Sequence, residues 1–250
     1  MKKSIVKVQW KQNSEAKWKA SLLLATKNRF ENLQLSPDRS FSFEVTDERR
    51  CTGYAPNPGE RAKCPEFRKI DSGSQCGECR GKDIYSNYVR GDKQNNLDGE
   101  FSVYLAQISN QVKVGVTRTE NIPKRWIEQG ADYATEILSG LSTKVALENE
   151  QEISQNGVTE RIRKENKTRP AKNPFQLKQV MEEQKFEGKI IDINQKTIYN
   201  NLQGKFTRKG LFEGKLKSVK GQIIGNGRVA MAMTSGKVLN RPRQKGLNNF

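Results

Sequence analysis

The clearest hydrophobic patterning lies between Phe101 and Ile153. Val103, Leu105, Val112, Val114 and Val116 alternate with other residues at period two, the spacing of strands with one buried face. Ser109-Asn110 sits between the two runs and predicts a two-residue turn. That turn pairs Tyr104 with Gly115 and Ala106 with Lys113. The valines and Leu105 then face a core, while Tyr104, Ala106, Lys113 and Gly115 form a floor on which something else sits. Asn121 and Pro123 open a helix over Lys124 to Gln129, and Gly130 stops it. A third strand is expected from Tyr133 to Leu138. A second helix begins near Ser142, a favoured N-cap residue, and carries Val145 to Asn149.

Both ends of the chain read as β. Ile5, Val6, Val8 and Trp10 form one run, Ser21 to Thr26 another, and Phe41 to Val45 alternates cleanly after the turn signal Pro37-Asp38-Arg39. These runs predict a small antiparallel sheet over residues 1–50. Toward the C-terminus, short strands are expected at Phe186 to Ile193, Thr197 to Leu202, Lys215 to Val219, Gln222 to Ile224 and Arg228 to Met233. Frequent glycines between them predict a small barrel or curled sheet over residues 185–240. Between these regions, residues 159–184 are charged, with Pro170 and Pro174 breaking any long helix. That stretch reads either as a solvated linker or as a phosphate-contacting arm built on Arg161, Arg163, Lys164, Lys167, Arg169 and Lys172. The last residues, 241–250, read as a flexible basic tail. The class is α+β: a small central α/β domain over 101–158, flanked by antiparallel β segments.

Composition narrows the partners. The 250 residues carry a formal net charge of +17, with 29% charged and 34% hydrophobic residues. Residues 205–250 alone carry eleven lysines or arginines against the single acid Glu213. Such a balance favours an anionic partner, DNA or RNA ahead of a membrane surface. No apolar run approaches the length of a spanning helix, and Lys2-Lys3 is not followed by a signal-peptide core. A cytoplasmic protein without a membrane partner is the expectation.

Four cysteines add candidate chemistry: Cys51, Cys64, Cys76 and Cys79. Cys76-Gly77-Glu78-Cys79 is a C-x2-C knuckle, a spacing at which two thiolates bind one cation from a tight turn. Gly53, Pro56, Pro58 and Gly59 lie between the other two, so no regular helix or central strand runs there. Residues 51–100 are therefore expected to be a module held by structural Zn2+, followed by a polar linker containing Tyr85 and Tyr88.

The order hairpin, basic helix, strand, glutamate-bearing helix resembles the GIY-YIG nuclease superfamily. Ser102-Val103-Tyr104 is similar to its first motif and Lys113-Val114-Gly115 to its second. Lys124-Arg125-Trp126 is similar to its basic helix, and Leu147-Glu148-Asn149 to its glutamate motif. The resemblance implies Tyr104 as the motif tyrosine, Arg125 as the phosphate-contacting arginine, and Glu148 as ligand of a catalytic Mg2+ or Mn2+. Lys113 replaces the second motif tyrosine, and Gln129 stands where a histidine is often found. By this reading Tyr104, Lys113, Arg125 and Glu148 form the catalytic set. The wider phosphate surface comprises Arg118, Lys124, Arg161, Arg163, Lys164, Lys215, Lys217 and Lys220. A second resemblance spans more of the chain. Cys51-Thr52-Gly53-Tyr54, Cys64-Pro65, Gln75-Cys76, Tyr104-Leu105-Ala106, Gln129-Gly130-Ala131 and Val219-Lys220-Gly221-Gln222 resemble the motif series of a prokaryotic family catalogued without assigned function. Three roles follow as expectations: a metal-dependent endonuclease, a catalytically inactive nucleic-acid-binding protein, or a protein docking on a ribonucleoprotein particle.

Overall fold

The computed structural model describes residues 2–84 and 98–242. Tyr85, Tyr88 and the tail from residue 243 onward lie outside the described residues. Among the described residues fourteen strands assemble into three sheets, and four α-helices and three 3-10 turns connect or cover them.

The largest sheet is built from both ends of the chain. Strands β1 (Lys3–Gln12), β2 (Trp18–Ala25), β3 (Phe30–Gln34) and β4 (Ser40–Arg49) come from the N-terminal region. β10 (Gly210–Lys215) and β14 (Lys237–Asn240) join them, giving the order β10-β4-β14-β1-β2-β3. β14 sits between β1 and β4, pairing Leu239 with both Lys3 and Val45. β10 pairs with β4 so that Phe212 stacks on Phe43 at 5.3 Å. Trp10, Leu22, Phe43, Phe212 and Tyr199 fill the core on one side of this sheet.

A second sheet has the order β11-β12-β13-β9, formed by β9 (Lys205–Thr207), β11 (Ser218–Lys220), β12 (Ile223–Gly225) and β13 (Val229–Ala232). It is antiparallel except where β13 runs parallel to β9. Among the described residues no closed barrel is found, which corrects the barrel expected at the C-terminal end. Short apolar strands bury themselves against whatever sheet edge is available. Here β10 and β14 found the N-terminal strands instead of each other. The run from Thr197 to Leu202 is not a strand either. Tyr199 and Leu202 plug the core, and the Tyr199 hydroxyl donates to the Leu35 carbonyl (2.6 Å) and accepts from the Ala20 N–H (2.8 Å). Of the run from Phe186 to Ile193 only β8 (Ile191–Asp192) pairs.

The third sheet contains the central patterned region. β5 (Phe101–Ile108) and β6 (Gln111–Arg118) form a hairpin, with Tyr104 opposite Gly115 and Ala106 opposite Lys113, the predicted register. β7 (Tyr133–Leu141) pairs with the other edge of β5, giving the order β6-β5-β7-β8. β5 is buried along its whole length. Its Val103 and Leu105 join Val112 and Val114 of β6 under the helices of Thr143–Gln155 and Phe175–Glu183. The opposite face does not lie open. Tyr104 and Ala106 belong to the main core, where Trp126 and Ile127 of the short helix Lys124–Gln129 cover them. In chain order the α-helices are α1 (Gly77–Lys82), α2 (Lys124–Gln129), α3 (Thr143–Gln155) and α4 (Phe175–Glu183). α4 lies inside the stretch that composition reads as linker or arm. Leu177 and Met181 are buried there beneath charged neighbours, too sparse an apolar stripe to dominate the local pattern.

The sheets meet around one buried ion pair. Asp132 is fully buried just after α2, and Lys220, 8% exposed, ends β11 and donates to its Oδ1. The other carboxylate oxygen accepts the Ser109 N–H (2.9 Å) at the β5–β6 turn, where Ser109 has φ 59°. Next to Lys220, Gly221 has φ 56°, and a Cβ there would stand 3.0 Å from the Glu128 carbonyl oxygen and from the Gly130 nitrogen. The adjoining Gln222 side chain accepts the Val8 N–H (2.6 Å) and donates to its carbonyl (2.9 Å), substituting for a strand partner beside the β1 bulge. Lys220→Ala leaves Asp132 buried without its cation. Denaturant unfolding is expected to show a loss of about 3–5 kcal/mol; a loss below about 1 kcal/mol would mean that water already reaches the carboxylate.

Candidate functional site

The cysteine module follows β4 directly. The Arg50–Lys69 bridge and the Cys51 N–H to Arg68 carbonyl bond (2.9 Å) close it over the sheet end. Gly53 has φ 82°, and a Cβ there would stand 2.0 Å from the Ala62 carbonyl oxygen, so only glycine permits the Tyr54–Ala62 bridge. All four cysteines are buried and unbridged, and their sulfurs lie within 4.8 Å of one another. A tetrahedral thiolate site with metal–sulfur bonds near ~2.3 Å separates its sulfurs by about 3.8 Å, so a small contraction suffices to close it.

The donor set also fits a cation. The Cys76 N–H points at the Cys51 sulfur (3.3 Å), joined by the N–H of Gly53. The N–H groups of Glu66 and Arg68 point at the Cys64 sulfur. Such bonds favour thiolate. Burial works against them and raises the Cys51 thiol to about 11, and it raises Cys79 further. At Cys64 burial opposes ionisation too, but the N–H groups and the neighbouring thiols outweigh it and the net shift is downward. Four sulfurs gathered this closely therefore become stable anions together only with a cation among them. The four cysteines can bind a metal such as zinc. With four protein ligands the site is closed, which suits a structural role.

A second cluster lies where α2 covers the hairpin. Tyr104 is 1% exposed, its ring lying across Gly115 and edge-on to Trp126 at 6.3 Å. Burial raises its phenol, while the Arg125 guanidinium beside the hydroxyl acts in the opposite direction. Lys113 is nearly buried and donates to the Glu160 carbonyl (2.7 Å). Burial lowers its ammonium, and Arg125 adds to this. Thus Tyr104, Lys113 and Arg125 are brought together. Glu148 is not: it is exposed on the outer side of α3 and faces Lys144 at 3.9 Å. The helix carboxylate that shares the field of Lys113 and Arg125 is Glu150, raised by burial and by Glu160. Two residues along a helix is a turn of roughly 200°, so motif spacing alone does not tell which of the two glutamates faces the hairpin cluster. Period-3.6 phasing against buried Ala146 and Ile153 would have favoured Glu150.

The expected phosphate-contacting cations divide. Lys124 is half-buried on α2, and Arg161, Arg163, Lys215 and Lys217 are exposed. Arg118 is partly covered, lying over the Phe101 ring at 5.8 Å. Lys164 is turned inward toward the Thr234 hydroxyl (3.4 Å). Lys220 is withdrawn altogether by its pairing with Asp132. Lys167, one of the cations of the expected arm, is turned inward instead, buried with its ammonium on the Gln129 carbonyl at the C-terminal end of α2.

Fold and cysteine site together define an α+β protein with three sheets and a candidate four-thiolate metal centre. The chain belongs to the DUF2797 family, described as a protein of unknown function, whose sequence model matches residues 38–227, more than half of the chain. No curated protein and no solved structure matches it. Among the described residues no helix is long and apolar enough to cross a membrane.

Two outcomes follow from these environments. Native mass spectrometry of the purified chain is expected to show one metal ion, lost on acidification because the ligands must be deprotonated. Cys76→Ser should weaken retention and expose residues 51–84 to protease. An apo chain with unchanged thermal stability and protease resistance would contradict this. Burial, reinforced by Lys164, Lys113, Lys220 and Arg125, lowers Lys167 from 10.5 to about 8. A folded pKa below the unfolded one means that the unfolded chain binds more protons between these values. Stability from this group therefore rises with pH above 8, toward the tyrosine range near 10. Lys167→Met should flatten that rise in pH-dependent unfolding; an unchanged slope would show the ammonium to be hydrated.

Proposed function

We propose that this chain is a nucleic-acid-binding protein whose contact surface centres on α2, with Zn2+ as the metal of the cysteine module. The observation that carries the reading is the placement of Arg125. Its side chain is 43% exposed, it lies above the tyrosine–lysine floor of the hairpin, and its only neighbouring carboxylate on the helix is Glu128 at 4.0 Å. A planar guanidinium with donors to spare, beside Lys124 on a protein of net charge +17, suits a phosphate oxygen better than a neutral partner. Four cysteine ligands and no open position suit zinc in a structural role.

A second reading, metal-dependent phosphodiester cleavage of the GIY-YIG type, draws on Glu150. It stands in the field of Lys113 and Arg125 and is raised by burial, a carboxylate that Mg2+ or Mn2+ would relieve. Arg125 would stabilise charge on the phosphate, and Lys113 would take the place of the family's second tyrosine. Burial of the Tyr104 hydroxyl weighs against this and in favour of a fold kept for binding.

Fluorescence anisotropy with labelled duplex DNA and hairpin RNA tests both readings. Binding is expected to weaken steeply with salt, and Arg125→Ala to lower affinity by about tenfold, the loss of a charge-assisted contact. Cleavage in Mg2+ or Mn2+ abolished by Glu150→Gln but retained in Glu148→Gln would establish the second reading. Absence of salt-dependent binding to either probe would refute the first.

A further inference from the structure

We propose that the β9–β10 turn, the β13–β14 turn and the 3-10 turn Lys164–Thr168 together form an anion site, in which Lys164, Arg49 and Arg208 hold a phosphate group beside the Thr234 hydroxyl. The site shares no residue with the α2 surface and does not depend on the nucleic-acid reading. Its phosphate belongs either to a nucleic-acid backbone or to a free phosphate ion.

The contacts close a ring. The Lys164 ammonium donates to the Thr234 hydroxyl (3.4 Å). The Thr234 carbonyl accepts the Lys237 N–H (3.2 Å), completing a turn through Gly236 at φ 86°. The buried Lys237 ammonium donates to the Arg208 carbonyl (2.9 Å). Arg208 Nη2 in turn donates to Glu165 (2.9 Å), the neighbour of Lys164 in the chain. Arg49 reaches the same turn from the end of β4. Its Nη1 donates to the Ser235 carbonyl (3.0 Å), and a Cβ on Gly236 would stand 3.1 Å from that nitrogen. Lys209 joins through Asp47, which also accepts from Lys237 (2.8 Å). Five cations from four segments are thus linked by direct contacts.

Only two carboxylates take part, and both are committed. Asp47 is shared between Lys209 and Lys237, and Glu165 takes one nitrogen of Arg208. Among the described residues Arg49 has carbonyl partners alone, and Lys164 has one neutral hydroxyl at the long end of hydrogen-bonding range. An ammonium carries three donors, so most of the capacity of Lys164 is unused. Lys164 is half-buried, and burial together with the Arg208, Arg49 and Lys237 charges lowers its ammonium. A cation withdrawn from water without a counter-ion costs stability, and a bound anion removes that cost. Phosphate suits this donor set. Its oxygens accept from several directions, its edge matches the guanidinium fork of Arg208, and the Thr234 hydroxyl can donate to it while accepting from Lys164.

The experiment uses the full metal-loaded chain. Thermal unfolding in sodium phosphate against NaCl of equal ionic strength reads the free ion; NaCl titrations with a labelled DNA duplex and a labelled RNA hairpin read the backbone. Lys164→Met keeps the apolar stem and removes the charge. Arg208→Ala, at an exposed position, still reports if Lys164→Met fails to fold. Lys27→Ala removes an exposed cation from the β2–β3 turn as a control. Phosphate stabilises any folded chain somewhat through its exclusion from protein surface, so the difference between variants is the readout. If the site takes the free ion, the wild-type chain and Lys27→Ala are expected to gain about 3 °C more in phosphate than Lys164→Met and Arg208→Ala. If it takes a backbone phosphate, each of those two variants is expected to lower the salt slope by about 1, and Lys27→Ala to leave it unchanged. Equal phosphate gains in all four chains together with wild-type salt slopes in Lys164→Met and Arg208→Ala would overturn the site and leave the binding reading intact. A wild-type chain that binds neither probe yet shows the phosphate-specific gain would remove the nucleic-acid reading and leave the site.

Discussion

A single buried carboxylate sets the architecture. Asp132 has no access to solvent and satisfies three separate regions: its side chain takes the Lys220 ammonium and the Ser109 N–H, and its main chain pairs with Gln107 and Ile193. Removing a carboxylate from water is costly unless every lone pair is used, so these contacts stand or fall together. Their combined effect is to fix the end of α2 against the β5–β6 turn on one side and the β11–β12 turn on the other. The close backbone approach of Gly130 and Gly221 is possible because neither carries a side chain. Lys167 completes the junction on the last carbonyl of the helix. Arg125 and Lys124, on the first turn of the same short helix, are held at the surface by this arrangement, although a helix of six residues has little stability of its own.

The cysteine module depends on a different constraint. Its backbone has few regular hydrogen bonds and its core is the four sulfurs, lined by Tyr54 and Ile70. Hydrophobic burial on that scale is small, so the cation a four-thiolate site accepts contributes folding free energy directly. Arg49, which ends β4, donates to the Gly73 and Ser235 carbonyls and so ties the module to the turn that leads into β14. Order in the module and order in the main sheet are thereby connected through a few named contacts.

Local signals were well represented in the sequence. The hairpin register, the αL stop at Gly130 (φ 71°) and the Ser142 cap accepting the Val145 N–H all depend on residues adjacent in the chain, and all three form as their residue types dictate. Cysteine spacing pointed to the four-cysteine cluster because ligand chemistry leaves few alternatives for such a set. Long-range pairing was not legible. The placement of β14 between β1 and β4 depends on one partner nearly two hundred residues away and another farther still, for which a strand's own pattern carries no address. The same limit produced the barrel expectation. Lys220 looked like one more surface cation, because its partner Asp132 is eighty-eight residues away. Glu148 and Glu150 differ only in helical phase, and motif matching does not see phase.

The central claim is that Lys124 and Arg125 of α2 form the core of the phosphate-binding surface proposed for this chain. Photo-crosslinking of the metal-loaded chain to a thymidine-substituted DNA probe and a matching RNA, followed by peptide mapping, tests it most directly. Cross-links are expected in the peptides carrying Lys124-Arg125. Cross-links confined to Lys205–Asn240, with α2 unmarked, would contradict it.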